Sequence, residues 1–340
     1  MTVLVTGAAG FIGSNFVRLL RRERPSWRVV VLDALTYAGN EATMADFAAT
    51  VPFIKGEIQD AFLLDQIIEE HGITHIVNFA AETHNDRSIL SAARFIESNV
   101  TGPYMLLEAV RKHGLQKLVH VSTDEVYGSI LEGEFTEASP LEPNTPYSAS
   151  KAGGDLQCRS HFVSFGTPVC ITRGGNTYGP FQYPEKLISF FAVRLLEGKK
   201  VPLYGEGSQI REWIHVDDHA RGVLKVLEEG ETGQAYNIGD SNERTNLEIT
   251  RVLLEATGRD ESFVKRIPDP RKGAHDTRYS MSTKKLESLG WKPEVDFESG
   301  LQRTVEWYRD NPAWWELVTA KPEYVAFIQR FYGPGLAEDL

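Results

Sequence analysis

Val3-Leu4-Val5-Thr6-Gly7-Ala8-Ala9-Gly10-Phe11-Ile12-Gly13 opens the chain and decides how the rest is read. The first four residues are apolar and rich in β-branched side chains, which suits a strand buried on both faces. From Ser14 to Arg24 the apolar residues Phe16, Val17, Leu19 and Leu20 recur with helical periodicity. The order is strand, glycine turn, helix. Gly7 permits the tight turn, Gly10 lets the backbone approach a pyrophosphate, Gly13 lets the helix pack close to the strand, and the helix N-terminus faces the anion. A glycine triplet alone also suits an ordinary strand–helix turn. Here a second apolar run, Val29-Val30-Val31-Leu32, ends at Asp33, twenty residues after Gly13. An acid at that place accepts hydrogen bonds from both ribose hydroxyls and repels a 2′-phosphate, which points to NAD over NADP.

The alternation continues outward. Phe53-Ile54 reads as a third strand, followed by a helix from Phe62 to His71. His75 to Phe79 makes a fourth strand, Phe95 to His113 a long amphipathic helix, and Leu118 to Ser122 a fifth strand. Strands separated by helices predict an α/β fold with a doubly wound parallel (Rossmann-type) sheet. Ligands of such sheets lie at the C-terminal strand ends. Gly7, Asp33, Ala80 and Thr123 all fall there. The predicted organisation is a dinucleotide-binding domain over residues 1–175 with a return at 211–240. Residues 176–340 mainly form a smaller mixed α/β substrate domain.

Bulk properties narrow the function. The 340 residues carry a net charge of −11, with 41% hydrophobic and 24% charged residues, as in an ordinary soluble globular chain. The acidic balance argues against a general nucleic-acid partner. Cys158 and Cys170 are the only cysteines. They cannot build a disulfide framework or a four-thiolate metal site, so no metal and a cytoplasmic, reducing compartment are expected. No run approaches a membrane span, and the N-terminal apolar run leads into glycines, unlike a signal peptide.

Two further segments carry chemistry. Thr123-Asp124-Glu125 places a hydroxyl and two carboxyls directly after the fifth strand. Tyr147 and Lys151 are four residues apart, so on a helix they share one face. A nearby ammonium favours phenolate and lowers a phenol toward a general base. Taken alone, such a pair is as readily an exposed helix face. Downstream of a dinucleotide turn it becomes a candidate site.

The chain resembles an extended short-chain dehydrogenase/reductase, and more narrowly the dTDP-glucose 4,6-dehydratases. The resemblance rests on Thr6 to Ser14, Asp33 to Asn40, Ala80 to Ile89, Ser122 to Gly128, Pro146 to Lys151, Tyr178-Gly179-Pro180, Pro184 to Ile188 and Arg211 to His219. It covers roughly residues 1–315, and the Asp-Glu pair is its most specific element. It implies that Tyr147 takes the sugar 4-hydroxyl proton as hydride passes from C4 to NAD. Lys151 lowers the Tyr147 pKa and holds the nicotinamide ribose. Thr123 hydrogen-bonds the same hydroxyl, Glu125 takes the C5 proton, and neutral Asp124 protonates the departing 6-hydroxyl. Two neighbouring carboxyls with opposite jobs need separated pKa values. The hydride then returns to C6. By family position the NAD residues are Gly7, Gly10, Phe11, Ile12, Gly13, Asp33, Ala34, Leu35, Thr36, Glu57, Ile58, Ala80, Ala81, Thr83, Asn99, Tyr147, Lys151 and Thr177. The nucleotide-sugar residues are His84, Thr123, Asn176, Lys186, Leu187, Pro202, Tyr204, Arg211, Asn246, Lys272 and His275. Arg211 is the natural diphosphate clamp.

The chain departs from the family at several points. Arg271 to Asp276 replaces an Asp-Arg-Pro-Gly-His-Asp stretch, Asn176-Thr177 replaces Asn-Asn, and Asn85 stands where Val is typical. These leave the acid–base set intact but open the nucleobase and the sugar. UDP-glucose or UDP-N-acetylglucosamine is the alternative substrate, and a non-catalytic NAD-binding protein the alternative class. The resemblance also implies a homodimer built on the helices Phe95–His113 and Lys151–Phe165, although their apolar faces suit a core equally. Nothing in the sequence assigns the tail from about Val318, with Tyr324, Phe327, Phe331 and Tyr332.

Overall fold

The computed structural model describes residues 1–269 and 278–336. Among them twelve strands run in chain order. The first six are β1 (Thr2–Thr6), β2 (Arg28–Asp33), β3 (Phe53–Lys55), β4 (His75–Asn78), β5 (Lys117–Thr123) and β6 (Val169–Gly174). They are followed by β7 (Asn176–Tyr178), β8 (Val201–Tyr204), β9 (Ile210–His215), β10 (Ala235–Ile238), β11 (Glu243–Thr245) and β12 (Val264–Ile267). Seven strands form one sheet in the order β10-β6-β5-β4-β1-β2-β3, and every pairing in it is parallel. This is the doubly wound α/β sheet predicted from the strand–helix alternation.

The unbroken apolar runs are explained by cover on both faces. In the β1–β2 register Val3 lies beside Val29 and Leu4 beside Val30. Val3, Val5, Val29 and Val31 join a core with the helices Phe11–Glu23 and Val216–Glu229. Leu4, Val30 and Leu32 point the other way, into a core with the helices Ala61–His71 and Gly102–His113. A third core lies beyond the sheet and includes the helices Leu187–Leu196, Asn246–Thr257 and Phe297–Asp310. Two small sheets, β11-β9-β7 and β12-β8, accompany it. The unassigned tail forms two helices, Pro312–Thr319 and Pro322–Leu336, which pack into this third core through Trp314, Trp315, Val318, Tyr324, Phe327, Ile328 and Tyr332.

The long helix expected over Phe95–His113 is interrupted by a wide π turn at Glu97–Thr101. Pro103 has no N–H to give the carbonyl of Asn99, which loosens the i−4 ladder there. The Asn99 side chain meanwhile donates to Glu82 O and accepts from Glu82 N, both at 2.9 Å. The turn thus fixes the segment that follows β4.

Candidate active site

The C-terminal ends of β1, β2, β4, β5 and β6 open into one cleft of about 400 Å³. Gly7, Gly10, Phe11, Ile12, Gly13, Asp33, Ala34, Thr36, Glu57, Ile58, Ala80, Ala81, Thr83 and Thr177 line it. The glycine turn is crowded against backbone. A Cβ on Gly13 would lie 2.4 Å from the Gly7 carbonyl oxygen, and one on Gly7, where φ is +72°, 2.5 Å from Ala80 N. No side chain caps the first turn of the Phe11–Glu23 helix, so its amides face the cleft. Asp33 is buried and accepts from Ala9 N at 2.9 Å and Leu35 N at 2.8 Å. Burial pushes its carboxyl up, against those two N–H groups. The cradle therefore fits a pyrophosphate, with an acid one strand away for a ribose. Leu35 and Asn99 do not line the cleft. Leu35 serves through its amide on Asp33, and Asn99 through the Glu82 backbone and a 2.9 Å bond to the Ser150 hydroxyl.

Thr123, Asp124, Glu125, Tyr147 and Lys151 meet in the same cleft. Tyr147 and Lys151 lie on the helix Pro146–Phe165, whose N-terminus is fixed by a capping box between Thr145 and Ser148. Lys151 is buried and donates to Val121 O at 2.7 Å, and burial lowers its pKa to about 8. Thr123 Oγ1 donates to Asp124 Oδ1 at 3.0 Å and accepts from Glu125 N at 3.3 Å. Asp124 Oδ2 is buried with no hydrogen-bond partner among the described residues. Burial, then the Glu125 charge, pushes the Asp124 carboxyl well above the usual range. That direction favours its neutral form, and with Oδ1 accepting from Thr123 it is Oδ2 that is left to carry a proton. Burial and then the Glu125 carboxylate push the Tyr147 phenol up, against hydrogen bonds to Thr83 and Thr123. That direction is opposite to the lowering expected from Lys151, because burial dominates and the Lys151 ammonium is turned to Val121.

His84, Asn176, Lys186, Leu187, Pro202, Tyr204, Arg211 and Asn246 line the far end. Lys272 and His275 lie outside the described residues. Asn176 Nδ2 and Trp213 Nε1 are buried without partners among the described residues, so polar groups wait there for a ligand. Sequence reading missed several participants. Glu185 is buried, bonds Arg87 Nε and the Tyr37 hydroxyl at 2.8 Å each, and its carboxyl is pushed up by burial against the Arg87 charge. The Arg87 guanidinium lies 3.9 Å over the Tyr37 ring and 4.3 Å over Phe327. Tyr332 of the tail lines the cleft and stacks on Phe190, with centroids 4.9 Å apart. Tyr204 continues that stack, 6.2 Å from Tyr332. His219 is held neutral by burial, which lowers it to about 4. The Thr177 hydroxyl donates to Gly175 O, so it accepts from His219 Nδ1 at 2.7 Å and leaves Nε2 an acceptor. For the tail, its aromatic spacing was the one available signal.

Comparison with known proteins follows the same lines. A family model described as GDP-mannose 4,6 dehydratase matches residues 4–304. A dTDP-glucose 4,6-dehydratase from Streptomyces niveus is 48% identical over 330 residues, covering 95% of this chain and 97% of that one. The crystal structure of a dTDP-glucose 4,6-dehydratase from Streptomyces venezuelae with NAD and TYD bound is 50% identical, with a TM-score of 0.90 over 94% of this chain and 100% of that one. The Bacillus anthracis dTDP-glucose 4,6-dehydratase in complex with NAD is 43% identical, with a TM-score of 0.87 over 94% and 99%. With glycine cradle, paired carboxyls and phenol–ammonium pair all inside the matched span, the chain belongs to the nucleotide-sugar 4,6-dehydratases of the extended short-chain dehydrogenase/reductase family.

Proposed function

We propose that the protein is an NAD-dependent hydro-lyase that converts dTDP-glucose to dTDP-4-keto-6-deoxyglucose and water. The observation that carries this reading is the buried Asp124, raised in pKa and with an unpartnered Oδ2, beside Glu125 in the cleft of the glycine cradle. A simple dehydrogenase has no need of a neutral acid next to a second carboxyl.

Each residue then has a task. The amides after Gly10 and the Asp33 carboxylate would hold the pyrophosphate and the adenosine ribose of NAD, and Lys151 its nicotinamide ribose. NAD, when bound, supplies a cationic ring that takes a hydride from C4 and returns it to C6, and whose charge opposes the burial acting on Tyr147. The Tyr147 phenolate takes the 4-hydroxyl proton, with Thr123 hydrogen-bonded to the same oxygen. The 4-ketone acidifies the C5 proton, which Glu125 removes. Asp124 gives its proton to the 6-hydroxyl, which leaves as water. Glu125, after exchange with solvent, returns a proton to C5 as hydride reaches C6. The proton that Tyr147 took from O4 replaces, through solvent, the one that Asp124 gave to the leaving water, so redox and proton balances close. Arg211 would clamp the diphosphate, and Asn246, Pro202 and Tyr204 would face the base.

Assembly and location follow as part of the same reading. Ile96, Tyr104, Leu156, Val163 and Phe165 are exposed apolar residues on the 93–113 and 146–165 stretches, and they suit a homodimer interface. Both cysteines are free and buried, which suits the cytoplasm. Among the described residues no helix is long and apolar enough to cross a membrane.

The test is incubation of purified protein with dTDP-glucose and no added reductant, followed by mass analysis and an alkaline ultraviolet assay for the 4-keto sugar. Loss of one water without net reduced NAD is the expected result. Turnover of a UDP-, GDP- or CDP-sugar instead would overturn the substrate, and silence across the panel would overturn the enzyme.

A further inference from the structure

The Glu125 side chain is held through one carboxylate oxygen: Asn85 Nδ2 donates to Oε2 at 2.7 Å, while the Glu125 backbone N–H donates to Thr123 Oγ1. Asn85 Oδ1 in turn accepts from Thr145 Oγ1 at 2.8 Å. Thr145 is the N-cap of the helix that carries Tyr147 and Lys151, and its hydroxyl oxygen accepts from Ser148 N at 3.1 Å. These bonds fix the direction of the amide. The Thr145 hydroxyl oxygen already accepts from Ser148 N, so its O–H is donated to Asn85 Oδ1, and the Asn85 NH2 is left to face Glu125. The backbone of Asn85 is also pinned, because Ser88 Oγ donates to its carbonyl at 2.7 Å. His84, at φ +84°, turns the chain to bring Asn85 to this place.

We propose that Asn85 is a positioning residue, which aims the Glu125 carboxylate and ties it to the N-cap of the helix bearing Tyr147 and Lys151. The proposal rests on the reaction assigned above. A charge-assisted amide bond of this length is strong enough to choose one carboxylate rotamer. The valine typical of the family at this position makes no such bond, so the tie is particular to this chain, and without it Glu125 here can swing away while the phenol and ammonium stay in place. Oxidation at C4 and proton removal at C5 then separate, because only the second depends on Glu125.

The test uses Asn85→Val, the residue typical of the family, and Asn85→Leu, which is close to Asn in size; neither can donate to Glu125. Each NAD-loaded variant is mixed rapidly with dTDP-glucose in deuterated water. The expected result is transient build-up of reduced-nicotinamide absorbance, with C5 deuterium incorporation about tenfold to hundredfold slower than in the unmodified enzyme. Normal exchange at C5, or equal loss of oxidation and exchange in both variants, overturns the proposal. The unmodified enzyme, run in parallel, separates the two ideas. If it neither oxidises nor exchanges the sugar, the assigned reaction has failed and Asn85 loses its role with it.

Discussion

Gly7→Ala should damage the fold and the cofactor site together, and its cost can be worked from geometry. Gly7 sits at φ +72°, and a Cβ there would lie 2.5 Å from Ala80 N and 2.7 Å from Phe79 C. Both are backbone atoms just past β4, which pairs with β1 through Asn78 and Thr6, so neither can swing aside like a side-chain tip. The left-handed conformation costs an L-residue about 1–2 kcal/mol. Forcing the backbones apart adds about 1–3 kcal/mol, as overpacking does elsewhere. Gly114→Ala is the matched control, since Gly114 has φ +63° and open space around the added Cβ. It bears only the first cost. At about 2 °C per kcal/mol in a large domain, Gly7→Ala melts about 4–10 °C lower and Gly114→Ala about 2–4 °C lower. Only Gly7→Ala displaces Ala80 and Ala81 in the cleft, so only it weakens NAD binding. Calorimetry and NAD titration of both variants check this. Equal melting shifts, or full NAD affinity in Gly7→Ala, would refute the reasoning.

Three more outcomes follow from the site. Asp124→Asn should slow dehydration by about 10² to 10⁴, the worth of a positioned proton donor. It should also melt higher than the unmodified protein at neutral and alkaline pH. The folded pKa of Asp124 is raised, so the unmodified fold loses stability as pH rises from the unfolded value through the folded one, and Asn escapes that loss. Kinetics and melting curves against pH check both. Tyr332→Ala removes the central ring of the Phe190–Tyr332–Tyr204 stack and should raise KM for the nucleotide sugar about tenfold, with kcat little changed, the worth of one aromatic contact. Arg87→Ala strands the buried Glu185 carboxylate and should cost about 3–5 kcal/mol in urea unfolding.

Much of the fold was legible because the sheet is buried on both faces, which turns each strand into an unbroken apolar run. The glycine cradle and Asp33 were equally plain, since backbone crowding at Gly7 and Gly13 leaves no room for a side chain. The chemistry at Thr123, Asp124 and Glu125 was readable as residue types, but the direction of the Tyr147 shift was not. It depends on how deeply the phenol is buried, which spacing does not reveal. Neither did the sequence reveal the Arg87–Glu185 pair, whose partners are far apart in the chain. The tail escaped for the same reason. Phe327 and Tyr332 carry no motif; Tyr332 reaches the cleft by stacking on Phe190 of helix Leu187–Leu196 and Tyr204 of β8, and Phe327 packs against Arg87 and His84. The π turn at Glu97–Thr101 reads as plain helix until Asn99 is seen bonded to Glu82.

The central claim is that one hydride leaves C4 and returns within the same sugar. Turnover of dTDP-glucose carrying deuterium at C4 tests it directly, with the product read by mass and proton spectra. The account predicts the label at C6, a solvent hydrogen at C5 and no net reduced NAD. Label lost to solvent, or retained in accumulated reduced cofactor, would contradict it.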